Sequence, residues 1–320
     1  MSRILITGAG GFVGGHLERH LLTTHPDIEI HGTVLPNNPT LPTREQVTYH
    51  PVELKDETTV KALIDHIRPD YIYHLAAQAF VPRSFEAPWE TLENNILAQL
   101  NVILGCMACG LRPRILVVTS AEIYGHIQPH EVPVSEHADL RPTSPYSVSK
   151  IAQDMLAYQY YLSHRLPIML ARPFNHFGPG QNENFVAPAF GMQIARIEAG
   201  LQEPIIHVGD LSAKRDFTDV RDIVLAYQLI AEKGTSGAVY NVASNKAYTI
   251  QTLLDTMIAH STAQIDVMVD AERLRPVTIP ILQGDCTRLH TETGWKPLIS
   301  FEQSVIDIIE DCRLRIKTTH

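Results

Sequence analysis

The chain has 320 residues, of which 44% are hydrophobic and 19% charged, and its formal net charge at pH 7 is −9. This is the balance of a globular protein with a large core, and the acidic sign argues against a nucleic-acid binder, which normally presents a basic surface. No apolar run approaches the ~20 residues of a membrane-spanning helix, so no membrane partner is expected.

Met1-Ser2-Arg3 leads straight into an apolar strand and not into an export signal, which makes the cytoplasm the expected location. That first strand, Ile4–Thr7, runs into Thr7-Gly8-Ala9-Gly10-Gly11-Phe12-Val13-Gly14 and then a helix. The spacing GxxGxxG after a strand has a physical purpose. Gly8 permits the tight turn, Gly11 has no side chain to block a pyrophosphate, and Gly14 lets the helix approach the sheet. Phe12 and Val13 lie where the free N–H groups and positive dipole end of the helix meet phosphate. His16 and His20 stand four apart on the same helix, but nothing nearby completes a metal site, and they read as surface residues.

The second strand, Glu29–Val34, is followed by Leu35-Pro36-Asn37. An acid at this point favours NAD and an arginine favours NADP; neither is present, so both cofactors remain open. After a third strand, Val47–His50, Glu53 is placed to accept a bond from an adenine amine, with Leu54 beside it. The fourth strand ends in His74-Leu75-Ala76-Ala77-Gln78, and the small residues let the backbone of Leu75, Ala76 and Ala77 lie against the cofactor. A helix is predicted from about Trp89 to Cys109. The CxxC pair Cys106/Cys109 falls late in it, with no second Cys or His pair at zinc spacing, so no metal is expected.

The fifth strand, Ile115–Thr119, delivers Ser120, Ala121 and Glu122 to the strand end where cofactor and substrate meet in such sheets. Tyr146 and Lys150 form a YxxxK motif at the start of a helix running to His164. Four residues make about one turn, so phenol and ammonium point the same way, and the lysine charge, with the positive nicotinamide, is expected to favour the phenolate. Ser120 can bond the reacting oxygen. After a sixth strand, Ile168–Arg172, the segment Asn175–Asn184 reads as a long loop; helices follow near 185–199 and 220–231, and a last buried strand at Val239–Val242. Alternating strands and helices define an α/β fold, a Rossmann-type doubly wound parallel sheet with a smaller α/β C-terminal domain. The expected division is 1–174 plus about 213–242 for the cofactor, and 175–212 plus about 243–320 for the substrate.

The glycine turn, strand-end Ser and YxxxK, in this order, resemble the extended short-chain dehydrogenase/reductases. Asn175-His176-Phe177-Gly178-Pro179-Gly180-Gln181, Arg215-Asp216-Phe217-Thr218-Asp219-Val220-Arg221-Asp222, Leu274-Arg275-Pro276 and Gly294-Trp295-Lys296-Pro297 look like the branch that acts on GDP-mannose derivatives. The resemblance implies an NAD(P)-dependent enzyme taking a GDP-sugar. Asn175 would bond the diphosphate or sugar, and Arg215 and Arg275 would clamp the phosphates, a task suited to the guanidinium fork. The implied reaction is reduction of the C4 ketone of GDP-4-keto-6-deoxy-D-mannose to GDP-D-rhamnose. The alternative is 4,6-dehydration of GDP-mannose: Glu122 is kept, but Ala121 stands where dehydratases carry a hydroxyl or carboxylate. A non-catalytic NADP-binding sensor or scaffold is a more distant alternative, since such proteins lose the Tyr or Lys. Apolar residues on the two central helices (Ile96, Leu100, Ile103 and Leu104; Met155, Leu156, Tyr158 and Tyr161) point to a homodimer or larger assembly, as in this family.

Overall fold

The computed structural model describes residues 2–37, 44–273 and 279–319. The strands, in chain order, are β1 (Arg3–Thr7), β2 (Glu29–Val34), β3 (Val47–Pro51), β4 (Tyr71–His74), β5 (Arg114–Val118), β6 (Ile168–Pro173), β7 (Asn175–Phe177), β8 (Ile205–Val208), β9 (Lys214–Asp219), β10 (Val239–Val242), β11 (Ala247–Thr249), β12 (Asp266–Val269) and β13 (Ile281–Leu282). The α-helices are α1 (Phe12–Thr24), α2 (Glu57–Ile67), α3 (Val81–Glu86), α4 (Pro88–Ala108), α5 (Pro145–His164), α6 (Val186–Glu198), α7 (Val220–Lys233), α8 (Ile250–Ala259), α9 (Thr287–Thr293) and α10 (Phe301–Thr319).

Seven strands form one parallel sheet in the order β10-β6-β5-β4-β1-β2-β3. The order reverses beside β1, so the connections leaving β1 and β4 pass to opposite faces of the sheet, the place where a crevice forms at the strands' C-terminal ends. Both faces are covered, which is why these strands read as continuous apolar runs. Ile4, Ile6, Tyr73, Leu116 and Met169 pack with Leu17 and Leu21 of α1 and Ile223, Tyr227 and Ile230 of α7. Their neighbours Leu5, Ile72, Ile115, Val117 and Ile168 pack on the other side with Val60 and Ile64 of α2, Val102 and Cys106 of α4 and Ala157 of α5. The period of two along each strand sorts the side chains between the faces.

A second sheet has the order β11-β9-β13, with β7 also paired to β9, and β8 pairs with β12. Phe190, Ile194, Leu253, Leu254, Ile308 and Ile309 from α6, α8 and α10 form the core beside it. One expectation is corrected here. The segment 175–184 is not all loop, because Asn175, His176 and Phe177 pair in register with Phe217, Thr218 and Asp219. β9 lies in the smaller sheet, while Ile279, Leu282, Leu289 and Trp295 return to the core of the large one. Trp295 is sealed there by donating its indole N–H to the Asp222 carbonyl at 2.9 Å.

The aspartates of the 215–222 motif tie these parts together. Asp216 accepts from the Ser244 backbone and hydroxyl, both at 2.7 Å, and from the Gly284 N–H at 3.3 Å. Asp219 caps α7 through the Arg221 N–H and accepts from Ser304 of α10. Asp222 accepts from the Leu298 and Ile299 backbone.

Candidate active site

The phosphate turn has the geometry its glycines require. Gly8 has φ +74°, and a Cβ there would stand 3.0 Å from backbone atoms of Ala76. At Gly14 a Cβ would lie 2.5 Å from the Gly8 carbonyl, so only glycine lets α1 seat this closely. A Cβ on Gly11 would meet only the Gly8 oxygen, at 3.2 Å, leaving its outer side open. No side chain caps α1, and its first turn holds no acid. The N-terminal N–H groups around Phe12 and Val13 are therefore available to an anion, and the turn fits a dinucleotide's pyrophosphate. Ala76 and Leu75 sit against this turn through Thr7: the Ala76 N–H donates to Thr7 Oγ1 at 3.2 Å and the Leu75 N–H to the Thr7 carbonyl at 3.3 Å. Leu54 is buried, its carbonyl held by Asn101 of α4 at 2.9 Å, while Glu53 is exposed.

His16 departs from its expected surface position. It is buried, its Nε2 lies 2.8 Å from the Pro179 carbonyl, and the Phe12 ring packs edge-on against it and face to face with His176. The 178–181 turn is thus anchored on the phosphate loop. Cys106 is buried and its thiol pushed up to about 12 by desolvation, an inert core residue.

Ser120, Tyr146 and Lys150 converge at the C-terminal end of β5. Ser144 caps α5 by accepting from the Ser147 N–H at 3.0 Å, and Pro145 fits the first turn. This sets the helix start and so the Tyr146 direction. Ser120 accepts from the Glu122 N–H at 3.2 Å and hydrogen-bonds the Tyr146 side chain. Lys150 donates to the Val118 carbonyl at 3.0 Å, and its Nζ lies 6.0 Å from the Tyr146 ring centre.

All three side chains are buried. Burial pulls the Lys150 ammonium down to about 7. It pushes the Tyr146 phenol up, with the Ser120 bond opposing and the Glu122 charge adding to the rise. In the folded chain desolvation disfavours the phenolate. A phenol held protonated is a proton donor. Ala121 is buried between Ser120 and Glu122.

Beneath the site lies a buried polar layer that the sequence reading did not single out. Asn95 of α4 donates to Ser149 Oγ at 2.9 Å and to the Gln78 carbonyl at 3.1 Å, and accepts from the Gln78 N–H at 2.7 Å. Ser149 donates to the Tyr146 carbonyl at 2.7 Å. One asparagine thereby fixes the loop after β4 to the first turn of α5. Asp154, one turn beyond Lys150, receives two bonds from Arg172 at 2.9 Å each. His74 bonds Thr7 Oγ1 at 3.0 Å and is pulled down to about 3, by burial first and then by the Lys150 charge. The signal for these residues was their spacing: polar side chains at positions where helical period places the core, Asn95 with Ala98 and Val102, and Asp154 with Tyr146 and Lys150.

Of the residues expected to bind substrate, Asn175 opens β7 directly after β6. Arg215 donates to the carbonyls of Lys214 and Ile279, each at 2.8 Å. Arg275 lies outside the described residues.

A glycine turn on a parallel sheet, a buried Ser–Tyr–Lys group at the neighbouring strand end and a second small sheet define an NAD(P)-dependent oxidoreductase of the extended short-chain dehydrogenase/reductase type. A profile of the GDP-mannose 4,6 dehydratase family matches residues 5–308, and the chain belongs to that family. It is 34% identical to the GDP-6-deoxy-D-mannose reductase of Pseudomonas aeruginosa over 315 residues, 98% of each chain. It is 26% identical to the human GDP-mannose 4,6 dehydratase over 339 residues, 95% of this chain and 90% of that one. The structure of RMD from Pseudomonas aeruginosa complexed with NADPH superposes with a TM-score of 0.87 at 34% identity, covering 98% of this chain and 100% of that one. Among the described residues no helix is long and apolar enough to cross a membrane.

Proposed function

We propose that the chain reduces the C4 ketone of GDP-4-keto-6-deoxy-D-mannose to GDP-D-rhamnose. The observation that carries this reading is Ala121, a buried methyl group standing in the chain between Ser120 and Glu122, the two residues that act on the Tyr146 phenol. Expelling water from C6 needs an acid and a base in addition to the hydride-transfer site, and a methyl group can be neither. Reduction needs one proton donor at C4, and the buried phenol is one. Similarity to the Pseudomonas reductase across 98% of both chains supports the same choice.

The reduced nicotinamide, when bound, would supply the hydride; the glycine turn, Phe12 and Val13 would hold its pyrophosphate, and Leu54 and Leu75–Ala77 would contribute to the rest of its site. Tyr146 delivers a proton to the C4 oxygen while Ser120 donates to the same oxygen and steadies the charge developing there. Lys150 sits below the phenol, where its charge stabilises the phenolate left behind. Asn175 and Arg215, with Arg275, bind the GDP-sugar. In this reading the large sheet with α7 and α9 is the cofactor domain and the two smaller sheets form the substrate domain. Glu122, whose charge reaches Tyr146, favours 4,6-dehydration as the second reading.

Chromatography of products separates the two. GDP-4-keto-6-deoxymannose with NADPH should yield GDP-rhamnose, and GDP-mannose with catalytic NADP should remain unchanged. Conversion of GDP-mannose to its 4-keto-6-deoxy form without added reductant would refute the assignment.

We further propose a homodimer joined through α4 and α5. Val148, Met155, Tyr158 and Leu162 form an exposed stripe along α5. Ile103, expected in that interface, instead belongs to the protomer's own core. Sedimentation at micromolar concentration should give twice the chain mass; a monomer would refute the interface.

A further inference from the structure

We propose that Phe80 and Phe185 form an aromatic clasp across the cleft that reads carbon 6 of the sugar and favours a methyl there over a hydroxymethyl. This rests on the proposed reaction at C4 and extends it to substrate selection. The two rings come from distant parts of the chain, Phe80 from the loop after β4 and Phe185 from the segment entering α6. They meet edge to face, with centroids 6.2 Å apart and planes at 73°.

Each phenylalanine occupies a helix N-cap, Phe80 of α3 and Phe185 of α6, and neither helix has a side-chain capping bond. Ser, Thr, Asp or Asn at these positions would satisfy an orphan N–H. Two phenylalanines at capping positions, facing one another, indicate that ring contact is what the positions supply.

The clasp is also tied to the reacting centre. The Gln78 side chain donates to the Phe80 carbonyl at 3.0 Å, the Gln78 backbone is held by Asn95, and Asn95 reaches the first turn of α5 through Ser149. The same few bonds therefore place both Tyr146 and Phe80. Phe185 keeps 38% of its surface exposed. C6 is attached to C5, next to the reacting C4, and in this proposal a sugar whose C4 oxygen meets Tyr146 carries C6 to the wall the two rings form. Aromatic carbon there offers a hydroxyl no partner, and a hydroxyl buried without a bond is disfavoured.

GDP-mannose and GDP-rhamnose differ only at C6, so their dissociation constants isolate this contact without turnover. Calorimetry on the holoenzyme with NADP should show GDP-rhamnose bound on the order of 10-fold more tightly, the scale on which apolar pockets discriminate single groups. Phe80→Ala and Phe185→Ala should each bring the ratio towards one, while Phe80→Leu should retain most of it. Equal affinities in the natural protein, or a preference undiminished in both alanine variants, would overturn the proposal. NADPH-dependent turnover of the keto sugar, measured on the same samples, reports separately on the proposed reaction.

Discussion

Replacing Asp154 by leucine should be among the most damaging single changes available to this fold. Asp154 and Arg172 are both buried, and the guanidinium donates twice to the carboxylate, once to the Tyr124 hydroxyl at 3.0 Å and once to the Glu136 carbonyl at 3.1 Å. Burial works against the charged guanidinium, and the bonds to Asp154 more than offset it, so Arg172 is raised. Asp154→Leu removes two charge-assisted bonds, each worth about 1.5–3 kcal/mol. It also leaves a cation that cannot shed its proton. The two bonds together come to about 3–6 kcal/mol, and breaking a buried ion pair by removing one partner costs about 3–5 kcal/mol. At roughly 2–4 °C per kcal/mol for a domain of 150–250 residues, calorimetry should show Tm falling by on the order of 10 °C. Arg172→Met should cost less, because a stranded carboxyl can neutralise by taking up a proton. The double variant Asp154→Leu/Arg172→Met should recover stability relative to Asp154→Leu, since no buried charge remains. A Tm change under about 2 °C for Asp154→Leu, or a double variant less stable than that single one, would refute the reasoning.

Tyr146→Phe should fold and bind NADPH with near-natural affinity yet lose about 10²–10⁴-fold in kcat for ketone reduction, because only the proton donor is gone; unchanged turnover would remove the phenol from the mechanism. Lys150 has its ammonium pulled from 10.5 down to about 7, so the folded chain favours the neutral amine. Its charge is present below pH 7 and lost above, and kcat for reduction should fall as pH rises through about 7; a rise would contradict the role given to the charge. The same shift destabilises the fold wherever the unfolded amine is charged: the cost is absent above about pH 10.5, grows as pH falls towards 7 and is constant below. Lys150→Met should therefore raise Tm most at pH 6 and least at pH 10. Gly14→Ala forces a Cβ against the backbone of Gly8 and Ala9 and should abolish NADPH binding, whereas Gly15→Ala, with nothing within 4 Å of the added carbon, should bind normally; fluorescence titration of NADPH distinguishes them.

Much of this was legible in the chain because the large sheet is parallel and doubly covered. Glu29–Val34 and Val239–Val242 emerge with the bounds expected, and α5 ends at His164 as expected but starts at Pro145, two residues before the expected Ser147, because Ser144 caps it. The glycine turn and YxxxK were legible for a different reason: both act through short fixed spacings. What escaped depends on contacts between distant residues. β7 has only three residues, too few for a period, and exists because β9, some 40 residues later in the chain, pairs with it. His16 looked like a surface residue because its partner, the Pro179 carbonyl, is 163 positions away. Spacing also conveys the lysine near Tyr146 but not the depth of burial that raises its phenol.

Isotope tracing tests the central claim most directly. GDP-4-keto-6-deoxymannose is incubated with NADPH deuterated at the transferring position, and the product is examined by NMR; in parallel, GDP-mannose deuterated at C4 is incubated with catalytic NADP. Reduction predicts one deuterium at C4 of GDP-rhamnose for each NADPH oxidised, and no change in the labelled GDP-mannose. Deuterium migrating from C4 to C6 of GDP-mannose with no net oxidation of cofactor would contradict the account and assign the chain to 4,6-dehydration.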